Sequence, residues 1–312
     1  MIPNVVEIAS SGFYLSKTRG FLSIKDSEGS LSNIDLDEIG VLVITSSRAT
    51  LSTALMNTLA NRGIVTLLCD NKHRPAAYIY PFGSHKEVTG RLFDQIETGK
   101  PLKKRLWQSI VIAKILHQAF VLECLRRDRA RLLRRLASEV SSGDKENKEA
   151  QAARLYWTSI FGSDFRRIPG GGGLNRLLDY GYGVLRSAVL RAIAGSGLNP
   201  SLGLGHHSRR NPFCLADDLL EPFRPVVDFA VHRLNSNEFL GLNVSAKRYL
   251  GGLLMQPVET SSGMSPLGRA MSSLSQSLTR SFAQKERQLE IPTLPGSFPT
   301  DMQSLWDQMD FS

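Results

Sequence analysis

One change of hydrophobic period divides this chain and constrains its fold more than any other feature. From Val5 to Ser46, short β-rich runs (VVEIA, FYLSK, FLSIK, VLVITS) alternate with Gly, Ser, Asn and Asp clusters, the pattern of an antiparallel sheet. Thr50 to Arg62 reads as a helix with Thr50 or Ser52 as its cap and Gly63 as its stop. The buried-looking strand IVTLLCD and a short strand at Ala77 to Tyr80 follow. After Pro81 the apolar residues recur at helical spacing, from about Lys86 through most of the remainder. The expected class is therefore α+β: a small β domain over residues 1–84, a larger all-helical domain over 85–260, and a Ser/Pro-rich extension over 261–312. That extension, with a helix around Pro266 to Leu289, is expected to be mobile or partner-dependent.

Charge narrows the partners. Lys and Arg number 38 against 29 acidic residues, a formal excess of +9, which favours nucleic acid, an anionic membrane or another acidic partner. Between Pro101 and Val140 stand ten basic residues against three acidic ones, most of that excess. No run approaches the length of a membrane-spanning helix, and the N-terminus lacks a basic stretch followed by a long apolar one. The three cysteines, Cys69, Cys124 and Cys214, are odd in number, far apart and free of CxxC spacing, which suits a reducing compartment. A cytoplasmic protein without membrane partners is expected.

Two segments carry candidate chemistry. GHHSRRNPFCLADDLLEPFRP, Gly205 to Pro225, sets two histidines and two arginines ahead of three carboxylates wedged among leucines. Histidine with carboxylate suggests a metal site or an acid–base pair, and arginine suggests an anionic substrate. The structural alternative is a capping box in which Asp218 caps a helix and Glu221 reaches back three residues later. In GDKENKEAQAARLYWTSIFG, Gly143 to Gly162, a helix would place Glu149 on the same side as Ala153 and Tyr156, at offsets of four and seven. A carboxylate turned toward packing needs a cation, a metal or a proton; the alternative is a solvated glutamate on an early turn. The run PGGGGLN, Pro169 to Asn175, follows no strand and matches no phosphate-loop spacing, so it reads as a flexible connector.

NKEAQAARLYWTSIFG, NRLLDYGYGVLR and GHHSRRNPFCLADDLLEPFRPVVD, in this order and separation, resemble the signature segments of the CRISPR-associated protein one family, the integrase of bacterial adaptive immunity. VLVITSSRATLSTALMNTLANRGIVTLLCDNKHRPAAYIYP is similar to that family's β domain and following helix, so the resemblance covers roughly Val5 to Leu250. ADDLLEPFRP looks most like the versions found with a single-protein effector nuclease, the type II systems. The resemblance implies a DNA endonuclease and integrase that inserts short foreign DNA into a repeat array, the 3′-hydroxyl of the donor attacking a phosphodiester. It implies Glu149, His206 and Glu221 as catalytic ligands of Mn²⁺ or Mg²⁺, with His207 as the competing histidine and Asp218 as a supporting or alternative acid. Implied partners are double-stranded DNA, a second copy of the chain, a dimer of a small companion protein, and the effector nuclease.

Two other readings stay open: a plain metal-dependent nuclease using water, and a non-catalytic DNA-binding scaffold. Lys103, Lys104, Arg126, Arg127, Arg131, Arg134, Arg166, Arg167, Arg209, Arg210, Lys247 and Arg248 are the candidate phosphate contacts. If the basic region neutralises about six phosphates, titration of duplex affinity against salt should give a log–log slope near −5. A flat dependence would assign these charges to protein contacts instead.

Overall fold

The computed structural model describes residues 4–9, 12–70, 75–81, 85–236 and 241–294. Its first third holds β1 (Asn4–Ile8), β2 (Tyr14–Thr18), β3 (Phe21–Lys25), β4 (Leu31–Asp35), β5 (Ile39–Ile44), β6 (Thr50–Leu51), α1 (Thr53–Asn61), β7 (Val65–Cys69) and β8 (Pro75–Ile79). The helices that follow are α2 (Val88–Glu97), α3 (Lys100–Cys124), α4 (Ala130–Ser138), α5 (Lys148–Phe161), α6 (Leu174–Gly195), α7 (Cys214–Leu220), α8 (Arg224–Ser236) and α9 (Val244–Gly252). A hairpin of β9 (Pro257–Thr260) and β10 (Gly263–Pro266) then leads into α10 (Leu267–Gln284). The class is α+β, β-rich then helical, although the hairpin means that the second part is not all-helical.

The β-rich part is not one antiparallel sheet. One sheet runs in the order β1-β5-β7-β8, with β1, β5 and β7 parallel and β8 antiparallel to β7. The other runs β4-β3-β2-β6, an antiparallel meander with β6 added in parallel. The reason lies in β5, whose six residues IGVLVI are all buried. A strand covered on both faces belongs at the centre of a parallel arrangement. Alternation then divides its side chains. Leu42 and Ile44 pack with Ile8, Leu15, Leu22, Leu55 and Leu59 between the two sheets, whereas Val41 and Val43, with Val65 and Leu67 of β7, join the helical core. Ser52 caps α1 by accepting from the Leu55 amide, and Gly63 takes φ +67° just beyond its end.

Helix α6 is the axis of the helical part. Most of LNRLLDYGYGVLRSAVLRAIAG is buried, which is the pattern of a helix enclosed on all sides. It touches α7, α8, α9 and α10 as well as β5 and β7. Helix α8 approaches so closely that a Cβ on Gly181 would sit 2.5 Å from Cγ1 of Val227. The Ser-rich segment expected to be mobile instead packs α10 on α6, burying Leu267, Met271, Leu274, Leu278 and Phe282. Its hydroxyls tolerate burial by bonding within the helix: Thr279 donates to the Ser275 carbonyl at 3.1 Å and Ser281 to that of Ser277 at 2.9 Å. The final segment, 295–312, lies outside the described residues. The glycine run before α6 is also tied down: the Gly170 amide donates to Asp179 at 2.7 Å and the Ile168 amide to Asn175 at 2.9 Å. A phosphate there would face the Asp179 carboxylate. No helix among the described residues is long and apolar enough to cross a membrane.

Strand β1 is fastened to the helices by charge. Glu7 accepts from Lys247 of α9 at 2.8 Å, from the Thr45 hydroxyl at 2.6 Å and from the Tyr180 hydroxyl of α6 at 3.0 Å. Lys247 is 6% exposed, which removes it from the candidate phosphate contacts. Glu7→Ala would take this glutamate from the buried ammonium and from the Thr45 and Tyr180 hydroxyls, and chemical unfolding should register a loss of about 1–3 kcal/mol.

Candidate active site

Glu149 is positioned by an unusual turn. Asp144 and Asn147 both adopt left-handed backbone, with φ of 49° and 54°, a conformation that Asp and Asn tolerate better than most residues. Asn147 caps α5 by accepting from the Ala150 amide, and Asp144 accepts from the Lys148 amide at 2.8 Å and the Glu149 amide at 3.0 Å. Glu149 thus stands in the first turn of α5, where the helix dipole favours a carboxylate. Ala152, Tyr156 and Ile160 bury the adjoining face of the helix.

Glu221 opens the 3-10 turn Glu221–Phe223 that joins α7 to α8, and it is 4% exposed. The capping box expected for Asp218 and Glu221 does not form. Asp218 lies within α7 rather than ahead of it, and Glu221 turns into the core. Lys114 of α3 sits between the two glutamates, its Nζ 2.5 Å from Oε1 of Glu149 and 2.5 Å from Oε2 of Glu221. The other oxygen of Glu221 accepts from Nε of Arg224 at 2.7 Å, and that guanidinium stacks over the Tyr182 ring at 4.6 Å. Burial alone would push the Glu221 carboxyl up; Arg224 and Lys114 reverse this and hold it at about 2. Beneath the turn, Nδ1 of His117 lies 2.6 Å from the Pro222 carbonyl, and burial lowers that imidazole to about 4.

Asp218 builds the histidine loop. Its fully buried carboxylate accepts from the amides of Leu204, of Gly205 at 3.1 Å and of His206 at 3.0 Å, while Nδ1 of His206 lies 2.6 Å from Oδ1. That hydrogen bond, outweighing desolvation, raises the His206 pKa. With Nδ1 committed, Nε2 is the nitrogen left for a ligand. The ring meets Trp107 edge-on at 5.6 Å between centroids. Gly205 is required here, because a Cβ would enter the Trp107 indole. His207 is exposed and outside this network.

Among the described residues, no three His, Cys, Asp or Glu side chains converge closely enough to hold a metal. Glu149 and Glu221 meet at Lys114, and His206 is held apart on Asp218. The donor set nevertheless suits a hard divalent ion: two carboxylates within reach of one cation and an imidazole nitrogen left open. Lys114 marks the place such an ion would take between the glutamates. Sequence reasoning counted Lys114 only as one positive charge. Its signal was position: it follows Ile110 by four and precedes His117 by three, on the buried stripe of α3, where an ammonium needs an acid partner.

The candidate DNA contacts divide. Lys104, Arg126, Arg127, Arg131, Arg166, Arg209, Arg210 and Arg248 are exposed, and Lys103 is half-buried. Arg134 is clamped by both oxygens of Glu123 at 2.7 Å, and Arg167 is paired with Asp179. These two, with Lys247, already have acids.

The solved structures that share this fold include a casposase bound to integration product, which matches with a TM-score of 0.79 and 19% identity over 98% of both chains. A Cas6-RT-Cas1–Cas2 complex matches at a TM-score of 0.74 and 17% identity over 93% of this chain and 36% of that one. The architecture is thus that of Cas1 proteins and casposases. Residues 6–254 match the model of the family described as CRISPR associated protein Cas1, and the chain belongs to that family. It is 41% identical over 228 residues to the CRISPR-associated endonuclease Cas1 of Neisseria meningitidis serogroup C (strain 8013), covering 73% of this chain and 74% of that protein.

Asp218 is the acceptor on which the loop depends. Asp218→Asn would put an amide NH2 in place of one carboxylate oxygen, facing either the Leu204 and Gly205 amides or the His206 amide and ring nitrogen, so thermal or chemical unfolding should show a loss of about 2–3 kcal/mol. A neutral result would mean that the loop is held by other contacts.

Proposed function

We propose that this chain is a DNA endonuclease and integrase of CRISPR spacer acquisition, with Glu149, His206 and Glu221 as its catalytic ligands of a divalent metal. The observation that carries the reading is the convergence of Glu149 and Glu221 on one cationic point, with Nε2 of His206 left open by Asp218. When bound, Mn²⁺ or Mg²⁺ supplies Lewis-acid polarisation of the scissile phosphate and stabilises charge on the attacking and leaving oxygens; the nitrogen donor favours manganese.

The chain's own residues do the rest. Lys114 balances the charge of the two glutamates, which would hold the metal together with His206. Arg224, stacked on the Tyr182 ring, fixes the direction of the Glu221 carboxylate from the side opposite Lys114. Asp218 keeps a proton on Nδ1 of His206 and so holds the tautomer that a ligand requires. Exposed Arg131 of α4 and the arginines of the 126–127 and 209–210 segments track phosphates without reading sequence. Among the described residues no separate base stands beside the glutamates to activate water, which favours the 3′-hydroxyl of a donor strand as nucleophile over hydrolysis. The names of the structural relatives, an integration product and a Cas1–Cas2 complex, support DNA joining and a Cas2-type companion as partner. A second copy of the chain and the effector nuclease of a type II system complete the proposed partner set, and the cytoplasm is the proposed compartment.

Glu149→Ala, His206→Ala and Glu221→Ala should each reduce strand joining by at least about 100-fold, the scale of removing one group that stabilises developing charge; circular dichroism should stay native for Glu149→Ala and His206→Ala, whereas Glu221→Ala, which takes the buried carboxylate from Lys114 and Arg224, should also lose stability. A donor ending in dideoxynucleotides should give no joined product. Joining that survives His206→Ala but not His207→Ala would move the ligand to the neighbouring residue. Efficient joining of the blocked donor would refute the 3′-hydroxyl mechanism.

A further inference from the structure

Away from the glutamates, a cleft of about 580 Å³ opens where the end of α1 and the start of β5 face the last turns of α6 and the first turns of α10. Three arginines line it, Arg62, Arg191 and Arg269, and no acid does. Arg62 is neutralised by Asp37. Arg269 is exposed at the rim with no ion pair among the described residues. Arg191 is the anomaly. It is half-buried on α6, and its guanidinium has neither a hydrogen-bond nor an ion-pair partner among the described residues. Burial lowers its pKa, and no nearby carboxylate opposes the shift.

A desolvated charge without a partner costs stability, and such a cost is offset when an anion binds. Elsewhere this protein supplies partners for its buried cations: Lys114, Lys247 and Arg224 all meet glutamates. The cleft also offers Ser196, Ser272 and Gln276, neutral groups able to bond a sugar or a base. Its volume falls within the range of small-ligand pockets, about 300–1,000 Å³.

We propose that this cleft binds a nucleoside monophosphate, free or as the 5′-terminal nucleotide of a DNA strand, with Arg191 as the phosphate ligand and Arg269 assisting at the rim. The site shares no residue with the Glu149, His206 and Glu221 cluster, so it stands or falls independently of the metal reading. Because it is walled by both the β-rich and the helical parts, its ligand bridges them.

The test uses the full chain. Thermal unfolding is followed at constant ionic strength with dAMP, a 5′-phosphorylated oligonucleotide, the same oligonucleotide lacking that phosphate, or inorganic phosphate. At a tenfold excess over Kd, dAMP should raise the Tm of the wild type by about 2–4 °C. Arg191→Met should show a higher Tm without ligand, having lost an unpaired charge, and should lose the response to dAMP. Arg269→Gln, an exposed change that leaves folding intact, should weaken dAMP binding about tenfold. A shift with the phosphorylated oligonucleotide beyond that with its unphosphorylated form assigns the DNA end as a source. Equal responses of wild type and Arg191→Met to every probe would overturn the proposal, as would inorganic phosphate protecting as well as dAMP.

Discussion

Burying a carboxylate obliges a protein to bury its answer as well. Glu221 is set into the core at the junction of α7 and α8, and much of the surrounding architecture meets that obligation. Lys114 reaches it from the middle of the longest helix, α3, and Arg224 reaches back from the first residue of α8. Arg224 lies over Tyr182 and so engages α6; Lys114 also holds Glu149 and so engages α5. Four helices are thereby registered against one acidic side chain. Their apolar packing provides the bulk of the stability, but the charges fix which turn faces which.

Much of this was legible in residues that act locally. Ser52 and Gly63 bracket α1 as their chemistry requires, and the change to helical spacing separates β8 from α2. Glu149 stood out because its offsets to Ala153 and Tyr156 turned it toward packing, and Tyr156 is indeed fully buried. What escaped was settled across long separations. The parallel pairing of β1 with β5 depends on a crossover through a second sheet, although the unbroken apolar run of β5 hinted at it. Asp218 carries the spacing of a cap yet serves a loop twelve to fourteen residues earlier. The serines of α10 suggested mobility because composition does not reveal that most of these hydroxyls, Ser277 and Ser281 among them, bond within their own helix. Lys247 and Arg167 read as surface charges because their acids, Glu7 and Asp179, are identified only by the fold.

The basic residues consequently fall into two populations with different work. On α4, Ala130, Leu133, Leu136 and Ala137 face inward, so the intervening arginines stand on the outer face. Arg134 and Arg135 are paired with Glu123 and Glu139, which leaves Arg131, with Arg126 and Arg127 ahead of the helix, available to polyanions. The inward population is spent on internal acids and contributes little to any external field.

The two-sided burial of β5 also has a bearing on how the chain is made. The strands are synthesised before any of the helices, yet Val41, Val43, Val65 and Leu67 find their cover only on the helical core. A nascent chain that has just finished β8 at Ile79 therefore carries a greasy sheet face, and the covering helix α6 begins only at Leu174. During that interval the half-made protein is a natural client for chaperones and a poor candidate for release as a fragment.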